Sequence, residues 1–446
     1  MSRLFIFCVG VIGLSGLAAQ VLLLRELLVS FYGNELTVGI VLANWLITES
    51  AGVYCAGRLI DRHKHKMAVF LSLELLFSAA FAFCIYFARV YKDMLGIPTG
   101  EGIGLTVIFW ASLAAILPVS FIHGALFTTA CRLYPDIASQ RGEEGIGKVY
   151  AWETVGMIAG GVILTYLFLP FLTTFHSVFI VIVLNLLVCV LLLRTYRGRV
   201  MRLMVAACIA CAGIGAAAGS IDRLHQESVR RQFKQGEVLD YRNSVYGNVA
   251  VTRSAGQYTF FSNGLPVITT PVPDITFAED FANLGLAFHH RPRRVLIAGA
   301  GAGGLLHEVL KHPVERVDYL ELDPLIITMV AAYATPLTQS ELNDPRTRVH
   351  NLDARFFLSA AGREYDMILI GLSDPADLAT NRLFTREFFS LARERLLPRG
   401  IITFWLPGSL SYLSEEMTAL HAGILTALED VFPAVRVIPG DYTIFL

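Results

Sequence analysis

The sequence predicts two folds in one chain: a helical transmembrane bundle of about seven helices, then an α/β domain that begins with a small β-subdomain. Long apolar runs fill the chain up to about residue 220, and 54% of all residues are hydrophobic. The remainder is more polar and alternates between strand-like and helix-like segments, which is typical of a parallel sheet covered by helices. A glycine-rich turn, Gly299–Gly304, follows the first buried strand of that part.

Seven apolar segments reach the roughly 20 residues that a membrane-spanning helix needs. The first is predicted to be a retained helix, because Arg25-Glu26 followed by more apolar sequence is no signal-peptide cleavage site. The seventh is short and rich in Ala and Gly. The segments lie near 4–29, 36–60, 67–90, 103–127, 148–170, 174–193 and 203–219.

Charged residues in the loops predict the orientation of these segments. Lys and Arg residues cluster after the second, fourth and sixth segments, while the loops after the first and fifth have none and the loop after the third has only Arg89 and Lys92. A multi-pass protein of the plasma (inner) membrane with a cytoplasmic N-terminus is therefore expected. Seven crossings place the C-terminal domain outside the cytoplasm and six leave it inside, and the sequence leaves both open.

Five polar residues fall within the apolar segments and are candidate functional groups, because ionisable side chains are costly in a membrane. Hydrogen bonding between helices is the alternative for each. Cys208 and Cys211 have CxxC spacing but no further ligands nearby, and no metal site is predicted. The five residues are Glu49, Glu74, His123, Glu153 and Asn185.

The chain divides into four predicted regions. Residues 1–219 form the bundle, and residues 220–236 are expected to be a linker with a polar helix. Residues 237–275 alternate between polar and apolar positions between turn signals and predict the small β-subdomain. Residues 276–446 predict a Rossmann-like domain with strands near 294–298, 317–321, 348–351, 366–370 and 401–406 and a closing pair at 435–438 and 442–446.

The glycine-rich turn and two acids predict an adenosine site. Glycines at 299, 301 and 303 let a ligand approach the backbone. Glu321 ends the second strand, where an acid accepts hydrogen bonds from ribose hydroxyls. Asp353, beyond the third strand, is placed to accept a hydrogen bond from the adenine amine. A dinucleotide site is the competing interpretation, and Asp353-Ala354 favours an S-adenosyl nucleoside.

These residues resemble the spermidine synthase (polyamine aminopropyltransferase) family. Its motifs are matched in order by Arg294–Gly304, Tyr319-Leu-Glu-Leu-Asp-Pro324, Asp353-Ala-Arg-Phe-Phe357, Ser373-Asp-Pro375 and Leu383-Phe-Thr-Arg-Glu-Phe-Phe389. The apolar half is similar to the helical module of a membrane-bound subgroup, with Gly124-Ala-Leu-Phe127 and Gly147–Gly156 as its signatures. The resemblance implies an S-adenosylmethionine-methyltransferase-type fold.

In this family decarboxylated S-adenosylmethionine donates an aminopropyl group to putrescine. The resemblance implies that Glu321 holds the ribose and that Asp353 with Ala354 holds the adenine. On the amine side it carries over Asp374, as the one catalytic residue and a substrate contact, and Glu279, as a substrate contact. No metal is implied.

The chain departs from the family on the amine side. The family's general-base Asp corresponds to Gly371, which cannot take a proton, and the Asp that steadies the donor's amine corresponds to Ala302. The family's Tyr-Gln pair reads Tyr246-Gly247, and its Tyr-His-Glu reads Phe277-Ala278-Glu279. Losing a positioned base typically costs on the order of 10²–10⁴ in rate.

Three functions follow as hypotheses: an aminopropyl transferase in the membrane, a catalytically inactive nucleoside- or polyamine-binding sensor, and a regulatory or structural membrane subunit. The expected partners are the lipid bilayer, a small-molecule amine or nucleoside, and other chains in a homo-oligomer or membrane complex. Residues 1–219 carry 15 Lys+Arg and 11 Asp+Glu, so 21 and 26 remain after residue 219, a net charge of −5. This acidic balance argues against nucleic acid as a partner.

Overall fold

The computed structural model describes residues 2–98, 102–138, 142–194, 196, 198–360, 362, 364–372 and 375–446. These residues form two compact units, Met1–Asn248 and Val249–Leu446. Each unit is considered by itself.

The first unit is helical. Seven of its described helices have the length and the apolar composition that crossing a membrane requires. The fourth continues past the predicted residue 127 to Ala138, through Pro118 and Pro135. The elements are α1 (Ser2–Phe31), α2 (Glu35–Leu59), α3 (Lys66–Met94), α4 (Leu105–Ala138), α5 (Gly142–Ile163), a π-helical turn (Leu164–Phe168), α6 (Leu169–Phe171), α7 (Thr174–Leu193), α8 (Arg199–Ala217), α9 (Ser220–Gln232) and strand β1 (Glu237–Asn243).

Glycines allow two helix pairs of the bundle to pack backbone against backbone. A Cβ at Gly156 of α5 would overlap the carbonyl group of Gly10 of α1, and one at Gly52 of α2 would overlap the carbonyl oxygen of Phe121 of α4. Small residues at such crossings are the usual means of close packing between membrane helices. The pairs α1 with α5 and α2 with α4 are therefore closely packed.

A buried arginine joins four helices at one end of the bundle. The Arg89 guanidinium donates from Nε and Nη2 to the two carboxylate oxygens of Glu26, both at 2.7 Å. It also donates to the Thr174 hydroxyl at 3.0 Å and the Ser228 hydroxyl at 3.0 Å, and it lies 3.1 Å from His225 Nδ1. These contacts tie α9 to the ends of α1, α3 and α7.

The opposite end of the bundle carries the basic loops. Lys66 at the start of α3 pairs with Asp136, and Arg132 pairs with Asp61. Lys66 and Arg89 are separated by roughly 35 Å along α3 at 1.5 Å per residue. Helix α8 leads from the end with the basic loops to α9, which lies at the Arg89 end.

The second unit is an α/β fold. Its short strands β2 (Asn248–Ser254), β3 (Gln257–Ser262) and β4 (Leu265–Thr270) pair antiparallel. A seven-stranded sheet follows in the order β10-β11-β9-β8-β5-β6-β7. The other elements are α10 (Ile275–Ala287), β5 (Arg294–Ala298), α11 (Leu305–Leu310), β6 (Arg316–Leu320), α12 (Pro324–Ala332), α13 (Pro336–Leu342), β7 (Thr347–His350), α14 (Ala354–Ala360), β8 (Tyr365–Ile370), α15 (Leu378–Asn381), α16 (Arg386–Arg395), β9 (Leu396–Pro407), α17 (Glu415–Glu429), β10 (Val437–Ile438) and β11 (Tyr442–Phe445).

Strand β5 lies where the strand order of the large sheet reverses. It pairs in parallel with β6 on one side and β8 on the other, while β10 and β11 close the sheet as an antiparallel pair. Side chains of β5, such as Val295, Leu296 and Ile297, are fully buried. Ligands of such sheets bind beyond the carboxyl ends of the strands at this reversal, which is where the glycine-rich loop, Glu321 and Asp353 lie.

Candidate functional site

The glycine-rich loop follows β5 and requires glycine at several positions. Gly299 has a φ of +74°, and its N–H donates to the Leu320 carbonyl at 2.9 Å. A Cβ at Gly299 would lie 2.6 Å from Leu372 Cγ, and one at Gly301 would lie 2.7 Å from the Tyr319 ring. The predicted glycines therefore keep the loop close to β6 and to the segment after β8.

A buried carboxylate that the sequence patterns did not indicate accepts hydrogen bonds from the backbone amides of this loop. Glu341 of α13 accepts hydrogen bonds from the N–H groups of Gly303 at 2.8 Å, Gly304 at 2.7 Å and His307 at 3.1 Å. Burial raises the pKa of Glu341, and these three donors act against that rise. The pairing spans more than thirty residues of chain, so no local motif signals it.

Glu321 lies directly after β6, at the carboxyl edge of the sheet. Its N–H donates to the His350 carbonyl of β7 at 3.0 Å, and its carboxylate accepts a hydrogen bond from the Tyr319 hydroxyl at 2.8 Å. The side chain is buried, and this burial raises the pKa of Glu321, while the Tyr319 hydroxyl lowers it. The carboxylate is thus held in a fixed orientation by a tyrosine on its own strand.

Asp353 lies beyond β7, the strand that neighbours β6. Its Oδ1 accepts a hydrogen bond from the Phe356 N–H at 3.0 Å, at the start of α14, and its Oδ2 pairs with the Arg382 guanidinium. Ala354 is buried. Glu321 and Asp353 therefore share one edge of the sheet, and an adenine amine at Asp353 would meet a carboxylate already paired with Arg382.

The predicted base position has no room for a side chain. Gly371 follows β8, and a Cβ built there would overlap the carbonyl oxygen of Gly299. The Gly371 N–H donates to the Ala298 carbonyl at 3.0 Å, and its carbonyl accepts from Trp405 Nε1 at 3.3 Å. Ala302, at the other substituted acid position, is buried in the apolar core.

The remaining predicted amine-side residues are not brought into one cluster. Asp374 lies outside the described residues, and Glu279 is exposed on α10. Phe277 belongs instead to an aromatic group, with ring centroids 4.7 Å from Trp405 and 4.8 Å from Tyr442. Within the first unit, Arg25 of α1 donates to the carbonyl oxygens of Ser244 at 3.1 Å and Gly247 at 2.9 Å, beside Tyr246.

The polar residues predicted within the bundle have different surroundings. Ser15 donates to Asn185 Oδ1 at 3.0 Å, while both carboxylate oxygens of Glu74 are buried and find no hydrogen-bond partner among the residues that the structure describes. Glu49, His123 and Glu153 lie together. Among the described residues, no group of three or more His, Cys, Asp or Glu side chains has the arrangement of a metal site.

Comparison with known proteins identifies the α/β part. Residues 275–443 match the model of the spermine/spermidine synthase domain family. Those residues form a spermidine-synthase-like domain. The resemblance seen in the sequence motifs is thereby confirmed for the C-terminal part of the chain, and the helical N-terminal region is consistent with the predicted module.

The relatives of the spermidine-synthase-like domain include curated enzymes. A polyamine aminopropyltransferase of Oceanobacillus iheyensis is 28% identical over 260 residues, covering 57% of this chain and 51% of the relative. A spermidine synthase of Schizosaccharomyces pombe is 31% identical over 208 residues, covering 46% and 62%. The chain spans about half the length of the first curated relatives it matches, 51% and 56%. The spermidine synthase structure from Thermotoga maritima is 25% identical with a TM-score of 0.40, covering 47% of this chain and 71% of that one.

Proposed function

We propose that this protein is a membrane-embedded, spermidine-synthase-like transferase that moves an aminopropyl group from decarboxylated S-adenosylmethionine to a polyamine. In that reaction a neutral amine nitrogen bonds to the carbon beside the sulfonium, the carbon–sulfur bond breaks with its electron pair going to sulfur, and methylthioadenosine leaves. The new ammonium then loses a proton. The observation that carries the proposal is the Glu321 carboxylate, buried and held by Tyr319 at the carboxyl edge of the sheet.

The glycine-rich loop supports a nucleoside without phosphates over a dinucleotide. A pyrophosphate normally binds to loop and helix N–H groups. Here the N–H groups of Gly303, Gly304 and His307 already donate to the Glu341 carboxylate. A phosphate could bind to these N–H groups only by displacing the Glu341 carboxylate. A cationic sulfonium ligand does not need these N–H donors.

A second candidate function, nucleoside binding without turnover, is favoured by the packing at Gly371. The amine nucleophile must be neutral to attack, so transfer needs a proton acceptor. Position 371 is filled by the Gly299 carbonyl oxygen and cannot supply one. In the transferase the acceptor role falls to Asp374 or Glu279, and in the sensor no acceptor is needed.

The proposed orientation in the membrane follows from the two ends of the bundle. The basic loops lie at the end with Lys66 and Arg132, which the positive-inside rule assigns to the cytoplasm. The chain leaves the bundle through α9 at the Arg89 end, roughly 35 Å away along α3. This arrangement favours seven crossings and a C-terminal domain outside the cytoplasm. A domain on that side would be separated from a donor made in the cytoplasm. The orientation therefore favours binding without turnover over aminopropyl transfer.

Two measurements test the proposal on the full chain. Calorimetric titration with methylthioadenosine and decarboxylated S-adenosylmethionine is expected to show saturable binding that Glu321→Gln weakens. Release of methylthioadenosine in the presence of putrescine supports the transferase, and binding without release supports the sensor. Absence of binding to the wild-type chain overturns both.

The orientation is tested with reporter enzymes fused after Leu446. A reporter active only outside the cytoplasm is expected to be active there, and one active only inside is expected to be silent. The reverse pattern overturns the seven-crossing orientation.

A further inference from the structure

Three ionisable side chains from three helices meet near the middle of the bundle. His123 of α4 lies with Nδ1 2.6 Å from Glu49 Oε1 of α2. On its other side, His123 Nε2 lies 3.8 Å from Glu153 Oε1 of α5. The imidazole therefore sits between two carboxylates. His123 is buried, as is most of Glu153, and about a quarter of the Glu49 side chain is exposed.

The Glu49 side of this cluster is fully paired. The indole Nε1 of Trp45, one turn before Glu49, donates to Glu49 Oε2 at 2.9 Å. The second oxygen of Glu49 faces His123 Nδ1. A carboxylate oxygen accepts a hydrogen bond, so this contact places a hydrogen of His123 on Nδ1.

The Glu153 side is incomplete. His123 Nε2 is buried and makes no hydrogen bond of ordinary geometry in the described part of the chain, and the backbone carbonyl of Ile12 in α1 is the polar backbone group that acts on the ring. The 3.8 Å to Glu153 Oε1 is longer than a hydrogen bond. A buried polar atom without a partner is costly, and this one faces the carboxylate that could share a proton with it.

Glycines allow the surrounding helices to approach the three groups closely. A Cβ at Gly16 of α1 would overlap the His123 ring, one at Gly13 would overlap the backbone carbonyl of Glu153, and one at Gly124 would overlap that of Glu49. From α3 the Phe77 ring packs 6.0 Å from the imidazole. The Cys131 thiol of α4 interacts electrostatically with Glu153 and with Arg132.

The charge count of the cluster points to its ligand. Two carboxylates and a neutral imidazole sum to −2 in the apolar interior of the bundle, where uncompensated charge is strongly unfavourable. The charged groups that act on His123 and Glu153 in the described part of the chain are each other and Glu49, and none of the three is a fixed cation. One proton on His123 Nε2 and one on Glu153 bring the sum to zero.

We propose that Glu49, His123 and Glu153 form a proton-binding site in the middle of the membrane bundle, with Glu153 and His123 as the groups that load and release protons. The site does not depend on the activity of the C-terminal domain. With this site the bundle binds and releases protons, in addition to holding the chain in the membrane.

The test is infrared difference spectroscopy of the purified full chain in lipid nanodiscs, titrated with pH. A protonated carboxyl has a C=O stretching band that vanishes on ionisation. The wild-type chain is expected to lose such a band together with an imidazolium signal as the pH rises. Glu153→Gln is expected to remove that band, and His123→Asn to uncouple it from any imidazole signal.

Glu74→Gln is the matched control, because Glu74 is a buried carboxyl of the same bundle and neither of its oxygens has a hydrogen-bond partner within the described ranges of the chain. This variant is expected to leave the band coupled to imidazole unchanged. If Glu153→Gln does not fold, Glu153→Asp retains the carboxyl and is expected to keep the band with a shifted midpoint. A coupled band that survives in Glu153→Gln, or a midpoint that changes when sodium is replaced by choline, overturns the proposal.

Discussion

The carbonyl oxygen of Gly299 lies where the Cβ of any other residue at position 371 would have to be. The missing base is therefore part of the packing between the loop after β5 and the end of β8, and a single substitution is not expected to restore it. Gly371→Asp is expected to lower the free energy of unfolding by about 1–3 kcal/mol, as overpacking does, and to give no aminopropyl transfer above wild type. Denaturant unfolding and a methylthioadenosine release assay measure the two effects.

Gly423→Asp is the control for this experiment, since a Cβ at Gly423 on α17 meets no other atom within 4 Å. It is expected to leave both quantities near their wild-type values. A Gly371→Asp variant that is as stable as Gly423→Asp and turns over putrescine would show that the Gly299 carbonyl can move aside at little cost in stability.

Tyr319→Phe is expected to weaken nucleoside binding by about tenfold, because a hydrogen bond to a charged group contributes roughly 1.5 kcal/mol or more. The Tyr319 hydroxyl lowers the pKa of Glu321, although burial raises that pKa overall. Removing the hydroxyl raises the pKa further, so binding that needs ionised Glu321 is lost at a higher pH as the solution is acidified. Titration calorimetry with methylthioadenosine across pH measures both effects.

The matched control is Tyr365→Phe, which removes another buried tyrosine hydroxyl of the same sheet, 3.0 Å from Asp318. Its binding curve is expected to follow that of the wild type. Equal losses of affinity in the two variants would mean that the effect is a general one on the sheet.

Arg89→Ala is expected to destabilise the first unit by about 3–5 kcal/mol, because it leaves the buried Glu26 carboxylate without its partner. The thermal midpoint of the full chain in detergent measures this loss. Lys66→Ala removes a partly exposed ion pair with Asp136 and is expected to cost less than about 1 kcal/mol. Similar midpoints for the two variants would contradict the larger contribution to stability that is expected of the buried Arg89 contacts.

Stability is expected to fall below about pH 6.5 because of His225. Burial, followed by the nearby Arg89 guanidinium, lowers the pKa of His225 to about 3. The ordinary value near 6.5 applies to the unfolded chain, which therefore binds more protons between those limits. Stability is thus fully present above about pH 6.5 and is lost as the pH falls towards 3, by at most about 1.4 kcal/mol per pH unit.

Unfolding midpoints of wild type and His225→Gln between pH 8 and 5 test this prediction. The variant is expected to be less stable at pH 8 and to depend less on pH below 6.5. Parallel curves over the whole range would rule out His225 as the source of the dependence.

Local sequence patterns were sufficient for the elements but not for the partners of the site residues. The apolar runs and the strand before Gly299 predicted the seven long helices and β5, because length and hydrophobicity alone determine them. The same patterns carry no information about contacts between distant segments. Glu341 under the glycine-rich loop and Arg382 on Asp353 were therefore missed, and so was the closure of the base position by Gly299.

The contacts of Arg25 and Arg89 decide where the polypeptide can be divided for study. A fragment ending at residue 219 would lose His225 and Ser228 beside Arg89, and one ending at residue 236 would still lose the Ser244 and Gly247 carbonyls that Arg25 binds. The shortest helical fragment that keeps both guanidinium groups paired extends through residue 247. Expression trials of the helical part should accordingly extend at least through that codon.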